Sequence, residues 1–530
     1  MTVQYNALNS YNISLSCQGE TLMKHFEHRL FRQISAVLLM LCVLAVMPAW
    51  SAPVVGQASL SDVFASFPST PQGDAARVRL LSGNEEAWYA RWHLIESAKK
   101  TLTITYFIVD QDIFGFSFLG LLRKKARQGV TIRLMVDDRF MRSAKKLKDY
   151  DELEELAREP NVEIKIYNPI GRQLLPALGD LRKVFASNHD KIIIADSRVC
   201  LTGGRNIGRD YFVQLGEFTN VFQDLDVLME GPGVVSQLQK AFDEEWRNLK
   251  TRIVRKDKIN FVSQSAKLDL AYHLMNRYLQ GMGVPDLKKL NFPRSLDKTA
   301  QELCQQLSGF KKLSSFNAYK PFRGERPMPV RILDRHSLLG TRRDIGENLI
   351  RMIDACREEI LIQNAYVVLD EAAEAALRRA SARGVKIFLC TNSGESTNHP
   401  STVAYFLTDW KRLLATMPTA RILVYPKGMP CIHTKAFVFD RQIAVVGTYN
   451  LDPLSMVINS EVVTVINYQP LAKRLALRME KDFARCLEYK IRKEADGRIT
   501  VIFGPEAHTE AEVMKKLERF GKMKFLRPLI

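Results

Sequence analysis

Residues 101–138 read TLTITYFIVDQDIFGFSFLGLLRKKARQGVTIRLMVDD, and the order of patterns in that stretch decides the fold. Thr101 to Asp110 is rich in β-branched and aromatic residues, LLRKKARQG continues as an amphipathic helical pattern, and Val130 to Asp138 is a buried-strand run. The same unit recurs about 250 residues later as Glu359 to Asp370 (EILIQNAYVVLD), the helical EAAEAALRRASARG, and Val385 to Ser393 (VKIFLCTNS). Gly129 and Gly384 stand at the helix ends, where a left-handed cap is usually needed. Strand, helix and strand in this order predict βαβ units, hence two α/β domains with mainly parallel sheets covered on both faces. The chain length of 530 suits two domains of roughly 200 residues each. Fold class alone does not specify chemistry.

Downstream of each unit lies one constellation at one spacing. His189, Lys191, Asp196 and Asn206 are matched by His433, Lys435, Asp440 and Asn450: Lys follows His by two, Asp by seven and Asn by seventeen. Residues i and i+2 of a strand project to the same face, so each His and Lys point together. A neutral imidazole can attack phosphorus, Lys supplies charge to the non-bridging oxygens, and Asn206 and Asn450 can donate hydrogen bonds to them. The glycines of GGRN and GTYN are expected to let backbone approach a phosphate. Asp196 and Asp440 are grouped with the catalytic residues, although their spacing turns them away to anchor backbone or the far edge of the site. One His-x-Lys would be an ordinary strand histidine with a chance neighbour; two full copies at one register are not.

The flanks concern location. A basic stretch around Lys24, Arg29 and Arg32 precedes a largely apolar run from Ile34 to Met47, then Pro-Ala-Trp-Ser-Ala, which reads as a signal or anchor segment over residues 1–52. The segment from Glu510 carries six Lys and Arg among Met514, Leu517, Phe520, Met523, Phe525 and Leu526, and reads as a basic membrane-surface element; packing on its own domain is the rival. A net charge of +18 draws the chain toward anionic lipid or nucleic acid. Apolar residues at 46% and charged residues at 25% exclude wholesale disorder and a many-helix membrane protein. The eight cysteines never take zinc-site spacing, so no metal and no cofactor are expected.

The two HxK(x)4D(x)6GxxN motifs resemble those of the phospholipase D superfamily, and GGRNIGRDYF looks most like bacterial cardiolipin synthases. Thr448 replaces the more usual Ser, and Leu454 stands where Arg is common. The resemblance implies two repeated α/β domains packed face to face around one active site, with no second chain needed to complete it. It implies one phosphorylated histidine, His189, with His433 as acid and then base, and a carboxylate orienting each ring. Asp224 and Glu461 are the matching positions, with Asp226 as a rival to Asp224. The expected organisation is an N-terminal extension and signal or anchor segment (1–52), a first domain (53–265), a connector (266–330), a second domain (331–495) and the basic C-terminal segment (496–530). The expected activity is transfer of a phosphatidyl group to form cardiolipin from phosphatidylglycerol. Hydrolysis to phosphatidic acid and nucleic-acid cleavage use the same core. The expected partners are anionic phospholipids at a bacterial inner membrane, on its periplasmic side, with no obligate nucleic acid.

Overall fold

The apolar runs IIIA after His189 and AFVF after His433 are buried on both faces, and each half of the fold is built around one of them. The computed structural model describes residues 58–138, 151–169, 180, 182–215, 221–248, 251–254, 262–308, 310 and 319–530; the expected signal or anchor segment lies outside them. Strands of the first half are β1 (Ala75–Leu81), β2 (Thr101–Tyr106), β3 (Thr131–Asp137), β4 (Val162–Tyr167), β5 (Ile192–Ala195), β6 (Val199–Gly203), β7 (Phe222–Gln223), β8 (Asp226–Glu230) and β9 (Thr251–Ile253). Those of the second are β10 (Pro327–Arg335), β11 (Glu359–Asn364), β12 (Lys386–Asn392), β13 (Ala420–Tyr425), β14 (Cys431–Ile432), β15 (Lys435–Phe439), β16 (Ile443–Gly447), β17 (Glu461–Asn467), β18 (Leu487–Lys493) and β19 (Ile499–Phe503).

Pairing runs β1-β8-β6-β5-β2-β3-β4-β9 in the first half and β10-β17-β16-β15-β11-β12-β13-β18 in the second, strand for strand the same. The equivalent strands β1 and β10 pair antiparallel with each other and join the halves into one sheet. The expectation of mainly parallel sheets needs correcting. Within the large sheet, among the described residues, β2-β3-β4 and β11-β12-β13 are parallel and the rest antiparallel; β5-β6 and β15-β16 are hairpins, whose short turns force antiparallel pairing.

Helices cover the sheet: α1 (Asn84–Ser97), α2 (Ile113–Arg127), α3 (Pro232–Asn248), α4 (Val262–Leu279), α5 (Asp297–Ser308), α6 (Asp344–Ala355), α7 (Glu371–Ala382), α8 (Pro400–Thr416), α9 (Gln469–Phe483) and α10 (Ala511–Lys522). Asp112 caps α2 by accepting from Phe114 and Gly115 N–H, and Asp370 caps α7 by accepting from Ala373 N–H. Gly129 and Gly384 follow these helices at φ 90° and 87°, a region that strains residues with a Cβ. The connector stretch is not a bare link. Leu268, Leu274 and Leu279 of α4 and Leu303 and Leu307 of α5 enter the first half's core beside Trp88, Phe114 and Phe118. A separate apolar cluster joins the halves, with Ile192, Ile194, Val227 and Met229 against Val330, Ala436, Val438, Ala444 and Val446.

The C-terminal segment packs on the second half through one face. Leu517 of α10 is buried with Val403 and Ala404 of α8, Tyr405 Oη donates to Met523 O at 2.7 Å, and Arg527 pairs with Asp409 at 2.6 Å. The inner face of α10 is therefore domain packing, while Lys515, Lys516, Arg519, Phe520 and Phe525 stay exposed. Among the described residues no helix is long and apolar enough to cross a membrane.

Candidate active site

Backbone from each half is threaded into the other beside the histidines. β7 pairs parallel with β14, and Gln223 O accepts from the N–H groups of His433 and Thr434 at 2.8 and 3.1 Å. On the other side Ser460 N–H donates to Ser187 O at 2.9 Å, and Asn188 bridges to Ser460. These crossings exchange the carboxylates between halves. His189 Nδ1 lies 2.9 Å from both oxygens of Glu461 in the second half, and His433 Nδ1 lies 2.6 Å from Asp224 Oδ2 in the first. Both pairs are buried. Lys191 and Lys435, also buried, each donate to the carbonyl of the histidine two residues back.

Burial sets the electrostatics. It pulls the His433 imidazole down to about 3, with the Lys435 charge adding to the effect, so this ring is neutral, with Nδ1 between Asp224 and Lys435 Nζ. Burial pushes Asp224 upward, but His433, Lys435 and Arg205 outweigh it and hold the carboxylate below its usual range. Glu461 has a weaker cationic surround: burial raises it to about 7 against the pull of Lys191. Burial, helped by Lys435, lowers Lys191 to about 7 against Glu461, and burial lowers Lys435 as well. Lys191 and Glu461, both brought to about 7, are poised to exchange a proton near neutrality.

Asp196 and Asp440 have no contact with either histidine in this arrangement. Each sits at positive φ in its hairpin turn, 52° and 47°, and its carboxylate accepts from three backbone N–H groups: residues 99, 100 and 101 for Asp196, residues 357, 358 and 359 for Asp440. They clamp the turns after β5 and β15 to the starts of β2 and β11. Asn206 donates to Tyr211 Oη at 2.8 Å, while its own Oδ1 and that of Asn450 lack hydrogen bonds. Asp226 is committed elsewhere, to Arg91 and Arg205 at 2.9 Å each, which leaves Asp224 as the carboxylate on His433.

The glycines admit close approach, of a carboxylate oxygen at Gly204 and of a strand carbonyl at Gly447. A Cβ on Gly204 would lie 2.1 Å from Asp224 Oδ1, and one on Gly447 would lie 2.2 Å from Val462 O. Thr448 occupies in the second half the position of Gly204, and its hydroxyl bonds Glu461 and accepts from Val462 N–H at 3.0 Å. The threonine substitution thus supports the orienting carboxylate.

Residue patterns missed the aromatic walls and an inner acid group. Phe107 lies 5.1 Å from the His189 ring; Tyr211, Phe222 and Tyr366 lie 5.4, 5.3 and 6.4 Å from His433. Phe107 comes one residue and Tyr366 two residues after the repeat strands β2 and β11, places just past the strand ends that could have flagged them. Asp190, between His189 and Lys191, is buried and raised to about 7 by burial and the Glu461 charge. Asn188 ties this group to Glu245, donating to it at 2.5 Å.

A family model described as "Cardiolipin synthase, PLD-like domain" matches residues 92–246 and 349–487, the two halves around the two motifs. The chain is 28% identical over 478 residues to cardiolipin synthase C of Escherichia coli (strain K12), covering 83% of this chain and 90% of that one. It is 25% identical over 422 residues to cardiolipin synthase A of Pseudomonas syringae pv. syringae (strain B728a), covering 80% and 71%. Among solved structures, phosphatidylserine synthase of Haemophilus influenzae Rd KW20 shares the fold at a TM-score of 0.57 and 12% identity, over 89% of this chain and 99% of that one.

Proposed function

The chain belongs to the cardiolipin synthase family of PLD-like domains, and from that premise we propose that it is a phosphatidyl transferase joining two phosphatidylglycerol molecules into cardiolipin and releasing glycerol. The observation that carries the reading is the crossed pairing of His189 with Glu461 and His433 with Asp224. It gives one pocket two imidazoles, each with Nδ1 on a carboxylate and Nε2 as the reacting nitrogen.

In the first displacement His189 Nε2 attacks phosphorus while His433, carrying a proton, gives it to the departing glycerol oxygen. In the second, neutral His433 takes the proton of the incoming alcohol, whose oxygen displaces His189 from phosphorus. Lys191 and Lys435 offset the charge on the phosphoryl oxygens, and Asn206 and Asn450 offer amide donors to them. Burial, with the Lys435 charge adding to it, keeps His433 neutral; an anionic phosphodiester offsets the lysines and favours its protonation.

Anionic phospholipids are the proposed substrates, met at a membrane surface. Supporting this are the excess of cations and the exposed basic face of α10 with Phe520 and Phe525. Placement on the periplasmic side of an inner membrane is part of the proposal and rests on the N-terminal sequence pattern.

Labelled phosphatidylglycerol, supplied with and without phosphatidylethanolamine, should yield cardiolipin and glycerol, and His189→Ala or His433→Ala should abolish both. Phosphatidic acid as sole product would make the enzyme a hydrolase. Cleavage of nucleic acid with no lipid turnover would overturn the lipid reading.

A further inference from the structure

Behind the His189 side of the pocket, α3 of the first half meets the end of β10 of the second, and three possible ligands converge there. Glu244, Asp334 and His336 each offer one ligand atom, and the three atoms lie within 4.8 Å of one another. His336 Nε2 is 3.2 Å from Glu244 Oε2 and 3.5 Å from Asp334 Oδ2. Ligands held at about 2.05 Å in a zinc tetrahedron stand roughly 3.3 Å apart, so these separations match the edges of such a site.

The second observation is missing hydrogen bonds. Asp334 and His336 are 3% and 8% exposed, yet neither oxygen of Asp334, nor His336 Nε2, has a hydrogen-bond partner. A buried carboxylate and imidazole are seldom left so, because the desolvation cost is not recovered. Arg342 is the competing cation: it donates to Glu244 Oε1 at 2.9 Å, its Nε is 3.4 Å from Asp334 Oδ2, and its Nη1 is 3.6 Å from Asp344. It therefore grips the Glu244 oxygen turned away from His336 and leaves Asp334 Oδ1 unmet, which suits an outer group holding ligands in place. Gly340 completes the enclosure, since a Cβ there would sit 2.6 Å from His336 Nδ1. Glu244 also lines a cleft with Gln239, Lys240, Asp243 and Arg247, so the cluster borders solvent-facing space on that side.

We propose that Glu244, Asp334 and His336 bind one divalent cation of the zinc class, with a water in the fourth position, as a staple between the two halves outside the catalytic pocket. One nitrogen with two carboxylates favours zinc over the all-oxygen shells of magnesium and calcium.

The test uses the full chain, stripped with chelator, exposed to zinc, desalted and assayed for metal. One zinc per chain should be retained and should raise the melting temperature. His336→Gln and Asp334→Asn should lose the metal, Glu244→Gln should weaken it at least tenfold, and a His189→Gln/His433→Gln chain should keep it. Absence of zinc from the native chain, or retention unchanged in all three ligand variants, overturns the site. If the native chain takes up no zinc while metal-free Asp334→Asn melts lower than metal-free native, the cluster is an ion-pair network of Arg342. Should the ligand variants fail to fold, competition of zinc against cobalt in the native chain, read from the d–d absorption of a tetrahedral cobalt site, decides the question: no such band overturns it.

Discussion

At the scale of residues, the two histidines proposed as the catalytic pair sit among charges that burial makes expensive. Lys191 has an ordinary pKa of 10.5 and falls to about 7 in the folded chain, so between those values the unfolded chain binds the extra proton and stability rises with pH. Lys191→Met should cost roughly 10²-fold or more in turnover, through lost stabilisation of phosphoryl charge, yet melt no lower than native at pH 6. A lower melting temperature together with near-native turnover would show that the lysine is structural. Glu461 moves the other way, from 4.5 to about 7, so acid protonates it first. The dependence of kcat/KM on pH should be bell-shaped with its centre near 7: the acid limb follows Glu461 gaining a proton, and the alkaline limb follows Lys191 losing one. Glu461→Gln should lower kcat and flatten the acid limb; an unchanged profile would separate Glu461 from His189. The histidines, lysines and orienting carboxylates could be read from spacing and resemblance. The exchange of carboxylates between halves could not, because a repeat read along one chain carries no information about which copy faces which.

At the scale of elements, the aspartates of the motif bind the hairpin turns to the neighbouring strands, and we propose that this is their role. Asp196→Ala should destabilise by about 2 kcal/mol, from three charge-assisted bonds lost at a left-handed residue, with kcat largely kept in the folded fraction; equal loss of kcat and unchanged melting would contradict this. Denaturant melts with matched single-turnover assays distinguish the two. The βαβ units, the helix caps and the glycine ends were legible because period, cap residue and left-handed φ are local properties. The antiparallel share of the sheet was not, since IIIA and AFVF are apolar on both faces and give no alternation by which to orient a strand. The C-terminal segment shows the same limit: its pattern foretold an amphipathic helix, but not that Leu517 faces α8. Deletion from Glu510 onward should therefore lower the melting temperature by exposing Val403 and Ala404, and should also weaken binding to anionic vesicles at low salt through loss of the outer lysines. Unchanged melting would refute the packing role, and unchanged vesicle binding would refute the membrane role.

At the scale of the whole molecule, duplication places two histidine–carboxylate pairs within one chain. Each half supplies a histidine and a lysine to its own strand ends and a carboxylate to the other half, so neither half alone has an oriented imidazole. The β1–β10 pairing and the apolar cluster between β5, β8, β15 and β16 hold the halves at the register that this exchange requires. The central claim is that the shared pocket works by two displacements through a phosphorylated histidine, each inverting the configuration at phosphorus. A phosphatidylglycerol analogue carrying a chiral thiophosphate tests it most directly. The account predicts product with configuration retained; product with configuration inverted would mean a single direct attack by the incoming alcohol and no enzyme-bound intermediate.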